Sequence, residues 1–204
     1  MGATTTIDPA TVVIGLGNPI LGDDGIGWRV VDEVDRRLAA LPDAAPVTTE
    51  RLAVGGLTLM ERLVGVGRAV LVDSIVGGGR CVGTVRVDSL EALASRPAAH
   101  LDSGHDAPLV SALAAGRALG ASLPDDVLVV TVEVETCDTF GDTLTPPIEA
   151  AVSPAADAVI ALLADSLTRV ETWHDAQSSR GGRAVRRMAL ARRRTDSARE
   201  SRAE

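Results

Sequence analysis

The sequence predicts an α/β fold, a mainly parallel twisted sheet with helices on both faces in a single domain, and three observations carry that prediction. Short β-branched apolar runs alternate with stretches of helical periodicity, the order that builds parallel sheets through βα units. The first and third strand-like runs, 11–16 and 69–72, are almost wholly apolar, as expected of strands covered on both faces. The chain of 204 residues, 46% of them apolar, is long and apolar enough for one full-sized core.

Residues 11–16, Thr-Val-Val-Ile-Gly-Leu, form the first such run, ending in glycine. Ile26, Val30, Val31, Val34, Leu38 and Leu41 then recur at spacings of three and four, one apolar stripe that Pro42 terminates. A second strand is expected near 46–53, followed by Gly55-Gly56 and a helix carrying Leu57, Met60, Leu63 and Val64. Ala69-Val-Leu-Val-Asp73 is a third strand that stops at a carboxylate. Residues 81–87 read as an additional strand entered through Gly77-Gly78-Gly79. After a polar loop, His105 is placed at the opening of a helix that runs to a cap at Gly120. Residues 127–134 supply another strand, and Ser153-Pro154 reads as the cap and first residue of a last amphipathic helix. The organisation expected is an N-terminal arm over 1–10, a domain over 11–171, and an arginine-rich tail over 172–204 with too little apolar surface to fold alone.

Every basic residue is arginine, and the charge is uneven: residues 1–174 hold 11 arginines against 24 acids, and residues 175–204 hold 9 against 4. An acidic body argues against nucleic acid as the main partner, since binding a phosphate backbone depends on neutralising cations. With two tryptophans, one phenylalanine and no tyrosine, stacking platforms for bases are excluded as a theme. Cys81 and Cys137 form no CxxC pair and no disulfide framework. No secretory leader and no apolar run near the length of a membrane span is read from the sequence, so a cytoplasmic, membrane-free, monomeric protein is expected.

Ligands of open parallel sheets bind beyond the carboxyl ends of the strands. Three side chains converge on that edge: Asp24 in the loop after the first strand, Asp73 at the end of the third, and His105 at the expected helix start. Two carboxylates and an imidazole form an incomplete shell suited to a borderline divalent ion such as Ni²⁺ or Zn²⁺, with positions left open for water or substrate. Each residue also has a plainer reading, as a turn or cap residue, and the case rests on their convergence. Asp23, the neighbouring carboxylate, is the nearest group for general-base work or for orienting a ligand.

Gly15-Leu-Gly-Asn-Pro-Ile-Leu-Gly-Asp-Asp-Gly-Ile-Gly27 resembles the N-terminal signature of the hydrogenase maturation proteases, and the resemblance continues through Val54-Gly55-Gly56-Leu57, Val72-Asp73, Gly83-Thr-Val85 and Ser103-Gly104-His105. It implies a phosphorylase/hydrolase-like sheet and an endopeptidase that clips the C-terminal extension from the large-subunit precursor of a nickel-iron hydrogenase. It further implies that nickel already inserted in that precursor is what is recognised, with Asp24, Asp73 and His105 as its ligands. Zinc or another divalent ion is an alternative occupant in the isolated protein. Ser74 stands where alanine is more usual, and Glu133-Val-Glu135-Thr lacks the glycine and proline common at that strand end.

No serine lies in a G-x-S-x-G elbow and no cysteine in a Cys/His motif, which leaves metal-assisted attack by water as the implied reaction. A dinucleotide-binding reading of Gly15-x-Gly17 fails because Ile20 stands where a third glycine is needed and two aspartates would repel pyrophosphate. Peptidyl-tRNA hydrolases share a Gly-Leu-Gly-Asn-Pro start but lack the rest of this pattern. A metal-dependent binding or chaperone module without peptidase activity is the alternative the residues leave open.

Overall fold

Val12, Val13 and Ile14 of the first run, and Val70, Leu71 and Val72 of the third, are all buried, as continuous apolar strands must be when helices cover both faces of a sheet. In the computed structural model, which describes residues 11–40, 47–95 and 108–164, five strands form one sheet: β1 (Thr11–Leu16), β2 (Val47–Leu52), β3 (Arg68–Val76), β4 (Val85–Ser89) and β5 (Asp126–Val134). Their order is β2-β1-β3-β5-β4, with β4 antiparallel to β5 and all other pairs parallel. The helices are α1 (Ile26–Leu38), α2 (Gly56–Arg62), α3 (Leu90–Ala94), α4 (Leu109–Ala118) and α5 (Pro146–Ala164). All belong to a compact unit spanning Met1–Ala161, apart from the last turn of α5, which enters a second unit, Leu162–Glu204.

Strand alternation sends the buried residues to two layers. Val12, Ile14, Leu71, Ile75, Val127 and Val129 pack with Leu59 and Leu63 around α2, Leu90 and Leu93 of α3 and Leu113 of α4 in one cluster. On the opposite face, α1 lies across β1, β2 and β3 through Ile26, Val30, Val31 and Val34. The approach is close because two glycines face each other there. A Cβ on Gly15 would stand 2.3 Å from the Gly27 carbonyl oxygen, and one on Gly27 would stand 2.2 Å from the Leu16 carbonyl oxygen and 2.6 Å from that of Val72. Arg37 of α1 pairs with Asp157 of α5 at 2.5 Å and donates to the Ser153 hydroxyl, which sets α5 beside α1.

Several boundaries differ from expectation, each for a local reason. The β3 strand does not stop at Asp73 but continues to Val76, because β5 pairs with it as far as Val76↔Val134. The fourth strand begins at Val85 rather than 81, since the Thr84 N–H turns back to the Cys81 carbonyl and Gly83 adopts φ +83°. α3 was not anticipated; the Ser89 hydroxyl caps it by accepting from the Ala92 N–H. α4 starts at Leu109 after an extended Pro108, so His105 does not open it; His105 itself lies outside the described residues. α5 starts at Pro146, not at Ser153-Pro154: the Thr145 carbonyl accepts the first helical hydrogen bonds, and two prolines fill a first turn where missing N–H groups cost nothing. At α2 and its C-terminal cap the buried side chains are Leu59 and the expected Leu63, while Leu57 and Val64 face solvent. The expected arm over 1–10 and tail over 172–204 lie outside the described residues.

Among the described residues, α5 is the one helix long and apolar enough, by length and composition, to cross a membrane. Its buried residues Ile148, Ala151, Ala155, Ala156 and Val159 form a helical stripe, and Glu149 and Asp157 stand exposed, the pattern of a core helix.

Gly27→Ala is expected to lower stability by ~3 kcal/mol, the upper range for overpacking, even though alanine is preferred to glycine inside a helix by about 1 kcal/mol. Chemical denaturation measures it, and an unchanged or raised midpoint would mean that α1 can lift off the sheet without penalty.

Candidate active site

The site forms where the sheet changes winding direction. From β1 the chain passes outward to β2, then returns across β1 to β3 on the other side, and pairing between β1 and β3 ends at Gly15↔Val72. Asp73 is therefore the first residue of β3 with no β1 partner, at the fork where ligands of open sheets bind. The loop leaving β1 folds over this fork. Gly17 takes φ +116°, and a Cβ on it would lie 1.9 Å from the Asp24 carbonyl oxygen, so only glycine lets the chain pass so closely over the turn Gly22–Gly25 that carries Asp24.

Asp24 is held on both oxygens. The Asn18 N–H donates to Oδ2 at 2.7 Å and the Ser74 hydroxyl donates to Oδ1 at 2.9 Å. Asp73 accepts from the Ser74 N–H on Oδ1 at 2.8 Å, and its Oδ2 has no hydrogen-bond partner among the described residues. Two carboxylates thus meet at Ser74, in a cleft of about 560 Å³ whose walls include Leu16, Leu21, Val54, Leu59 and Leu71. Burial pushes the Asp73 carboxyl up to about 7, the charge of Asp24 adds to the rise, and the Ser74 N–H works against it. Such a site draws a cation, whose charge would relieve both the desolvation and the repulsion.

The structure brings together Asp24 and Asp73 and sets Asp23 apart. Asp23 is buried, away from the cleft, and its two oxygens accept from the N–H (2.7 Å) and the hydroxyl (2.8 Å) of Thr145 at the head of α5. Both oxygens are engaged in a structural tie, so the carboxylate is not presented to the cleft as a spare base. His105, the third expected ligand, lies outside the described residues. Among the described residues no three His, Cys, Asp or Glu side chains are grouped to hold a metal.

Two further residues of the cleft carry no site role in the sequence reading. Ser74 stood out only as an unusual neighbour of Asp73. Cys137 lines the same cleft; burial, followed by the charges of Asp24, Asp138 and Asp73, pushes its thiol upward and disfavours the thiolate a nucleophile needs.

Because the folded chain binds the Asp73 proton more tightly than the unfolded chain, this group contributes stability that is fully present below the ordinary carboxylate range and is lost as pH rises through about 7. In the metal-free protein, Asp73→Asn should flatten the fall in melting temperature between pH ~5 and pH ~8; parallel pH profiles for the two proteins would contradict the assignment. Asp23→Ala should cost ~3 kcal/mol by removing bonds to a charged acceptor and stranding the Thr145 donors, and Asp23→Asn, which keeps one acceptor, should cost less in the same thermal melts.

Comparison with known proteins places this geometry. The family model for hydrogenase maturation proteases (HycI) matches residues 54–162, more than half of the chain, a span that holds Asp73 and leaves Asp24 before it. No curated protein matches the sequence. Among solved structures, the hydrogenase maturating endopeptidase HybD from E. coli superposes with a TM-score of 0.59 at 26% identity, over 77% of this chain and 93% of that one. An endopeptidase from Escherichia coli solved in solution gives 0.61 at 25% identity over the same shares. The [NiFe] hydrogenase maturation protease HybD from Thermococcus kodakarensis, at 18% identity and a TM-score of 0.51 over 76% and 99%, shares the fold. The mostly parallel five-stranded sheet, the two-sided helical cover and the match across more than half the sequence agree, and the chain belongs to the hydrogenase maturation protease family, as a hydrogenase maturation endopeptidase.

Proposed function

We propose that the chain acts in the cytoplasm on the large-subunit precursor of a nickel-iron hydrogenase, removing its C-terminal extension after nickel has been inserted and using that nickel to recognise the substrate. The observation that carries this reading is the meeting of Asp24 and Asp73 at one wall of the cleft, joined through Ser74 and desolvated enough to raise the Asp73 carboxyl to about 7. Such a pair is costly without a cation and favourable with one.

Nickel arrives as part of the substrate, with its remaining ligands supplied by the precursor, and when held there it supplies either a Lewis acid for the scissile carbonyl or an anchor for the chain being cut. In this reading Asp24, Asp73 and His105 take the open positions of the ion, and the apolar walls at Leu16, Leu21 and Leu71 keep the dielectric low around them. Water then adds to the scissile carbonyl carbon, the C–N bond breaks, and the leaving amine takes up a proton. The Asp73 carboxyl must lose its own proton to bind the ion, so substrate capture is coupled to proton release below neutral pH.

Incubation with nickel-loaded and nickel-free precursor, followed by intact mass measurement, tests the proposal. Loss of the extension is expected from the loaded form alone, and Asp24→Ala, Asp73→Ala and His105→Ala should each slow it by at least ~100-fold, the upper range for disturbing a metal contact. Equal cleavage of the nickel-free precursor would remove the metal from the recognition step.

A further inference from the structure

We propose that Ser74 is a positioning residue of the carboxylate pair, fixing the direction in which Asp24 presents its free lone pairs to the substrate's nickel. The inference rests on the reading of the cleft given above. Ser74 is the only residue among those described whose hydrogen bonds reach both carboxylates: its N–H donates to Asp73 Oδ1 at 2.8 Å and its hydroxyl to Asp24 Oδ1 at 2.9 Å. Asp73 and Ser74 are consecutive in a strand, so their side chains leave the sheet on opposite faces. The side-chain hydroxyl thus serves Asp24, while the backbone N–H serves Asp73.

The arithmetic of acceptors gives this contact its consequence. An ionised carboxylate offers about four lone-pair sites. On Asp24 one site of Oδ1 is taken by Ser74 and one of Oδ2 by the Asn18 N–H, so each oxygen keeps a site for a cation while the carboxylate plane is pinned at both ends. Of these two anchors the Asn18 N–H is backbone, present whatever the side chain; the Ser74 hydroxyl depends on one residue identity. Ser74 is 8% exposed, which leaves little access for a water to replace a deleted hydroxyl. Without it Asp24 is tethered by one oxygen and free to turn about its last torsion, and a ligand that must be ordered on binding holds metal more weakly.

Calorimetric titration of the full-length, metal-free protein with Ni²⁺ is the test, with Asp73→Ala, Ser74→Ala, Ser74→Gly and Ser74→Thr in parallel. Ser74→Ala and Ser74→Gly are expected to bind about 10-fold more weakly, the scale found when a contact supporting a metal ligand is lost. Ser74→Thr, which restores the hydroxyl, should return close to wild type. A merely structural serine would lower the melting temperature of the variants and leave nickel affinity alone. Binding by wild type that Asp73→Ala abolishes and that neither Ser74→Ala nor Ser74→Gly weakens overturns this inference alone. If wild type binds no free nickel, the comparison passes to cleavage of the nickel-loaded precursor: Ser74→Ala cutting as fast as wild type overturns this inference alone, and no cleavage by wild type overturns the reading of the cleft with it.

Discussion

The contact on which the site depends is one of backbone against backbone, between the start of α1 and the ends of β1 and β3. Gly15 and Gly27 leave no side chain between helix and sheet, and a single methyl at Gly27 would stand within 2.6 Å of two carbonyl oxygens. Whatever distance α1 keeps from the sheet is transmitted to the turn just before it, Gly22–Gly25, and so to Asp24. Side-chain packing tolerates small adjustments through rotamers, whereas a carbonyl oxygen cannot move without its strand. The position of one carboxylate is thereby referred to the most rigid part of the molecule, the buried parallel strands that also carry the other.

That arrangement explains how two like charges share one corner. Their repulsion, added to the desolvation of Asp73, is a standing cost in the metal-free protein. It is met by hydrogen bonds that come from fixed donors: the Asn18 N–H, the Ser74 N–H and the buried Ser74 hydroxyl. The rest of the cleft is largely apolar wall, which sharpens every charge interaction inside it.

Much of this was legible in the sequence, and what escaped notice has identifiable causes. The βα alternation and the apolar strands predicted a mainly parallel sheet, and the run Gly15–Gly27 with the strand reaching Asp73 put two carboxylates at one edge of it, because each depends on residues close together in the chain. Strand order was not legible, least of all for β4, which is short and half-exposed and turns back against β5 after the short connection from β3 through Cys81–Thr84. The extent of β3 past Asp73 depends on its neighbour β5, about sixty residues later, and no local pattern marks it. Asp23 read as a spare base because its true partner, Thr145, is 122 positions away, and Ser153-Pro154 imitates a helix start that Thr145 and two prolines provide earlier. Long-range ties of this kind leave no periodicity to read.

Those ties between the loop after β1 and the segment before α5 also bear on how the protein is made. Beyond Asp23 and Thr145, the Gly141 N–H donates to the Ile20 carbonyl and the Gly22 N–H to the Gly141 carbonyl, so the loop that carries Asp24 is laced to residues 141–145. The glycine-rich signature is translated within the first thirty residues, yet its buried Asp23 has no partner until residue 145 has left the ribosome. During synthesis the N-terminal motif must wait, unlocked, for most of the chain. A polypeptide truncated before that point would carry every residue of the signature, both its carboxylates included, and still lack the ties to Gly141 and Thr145 that hold the loop.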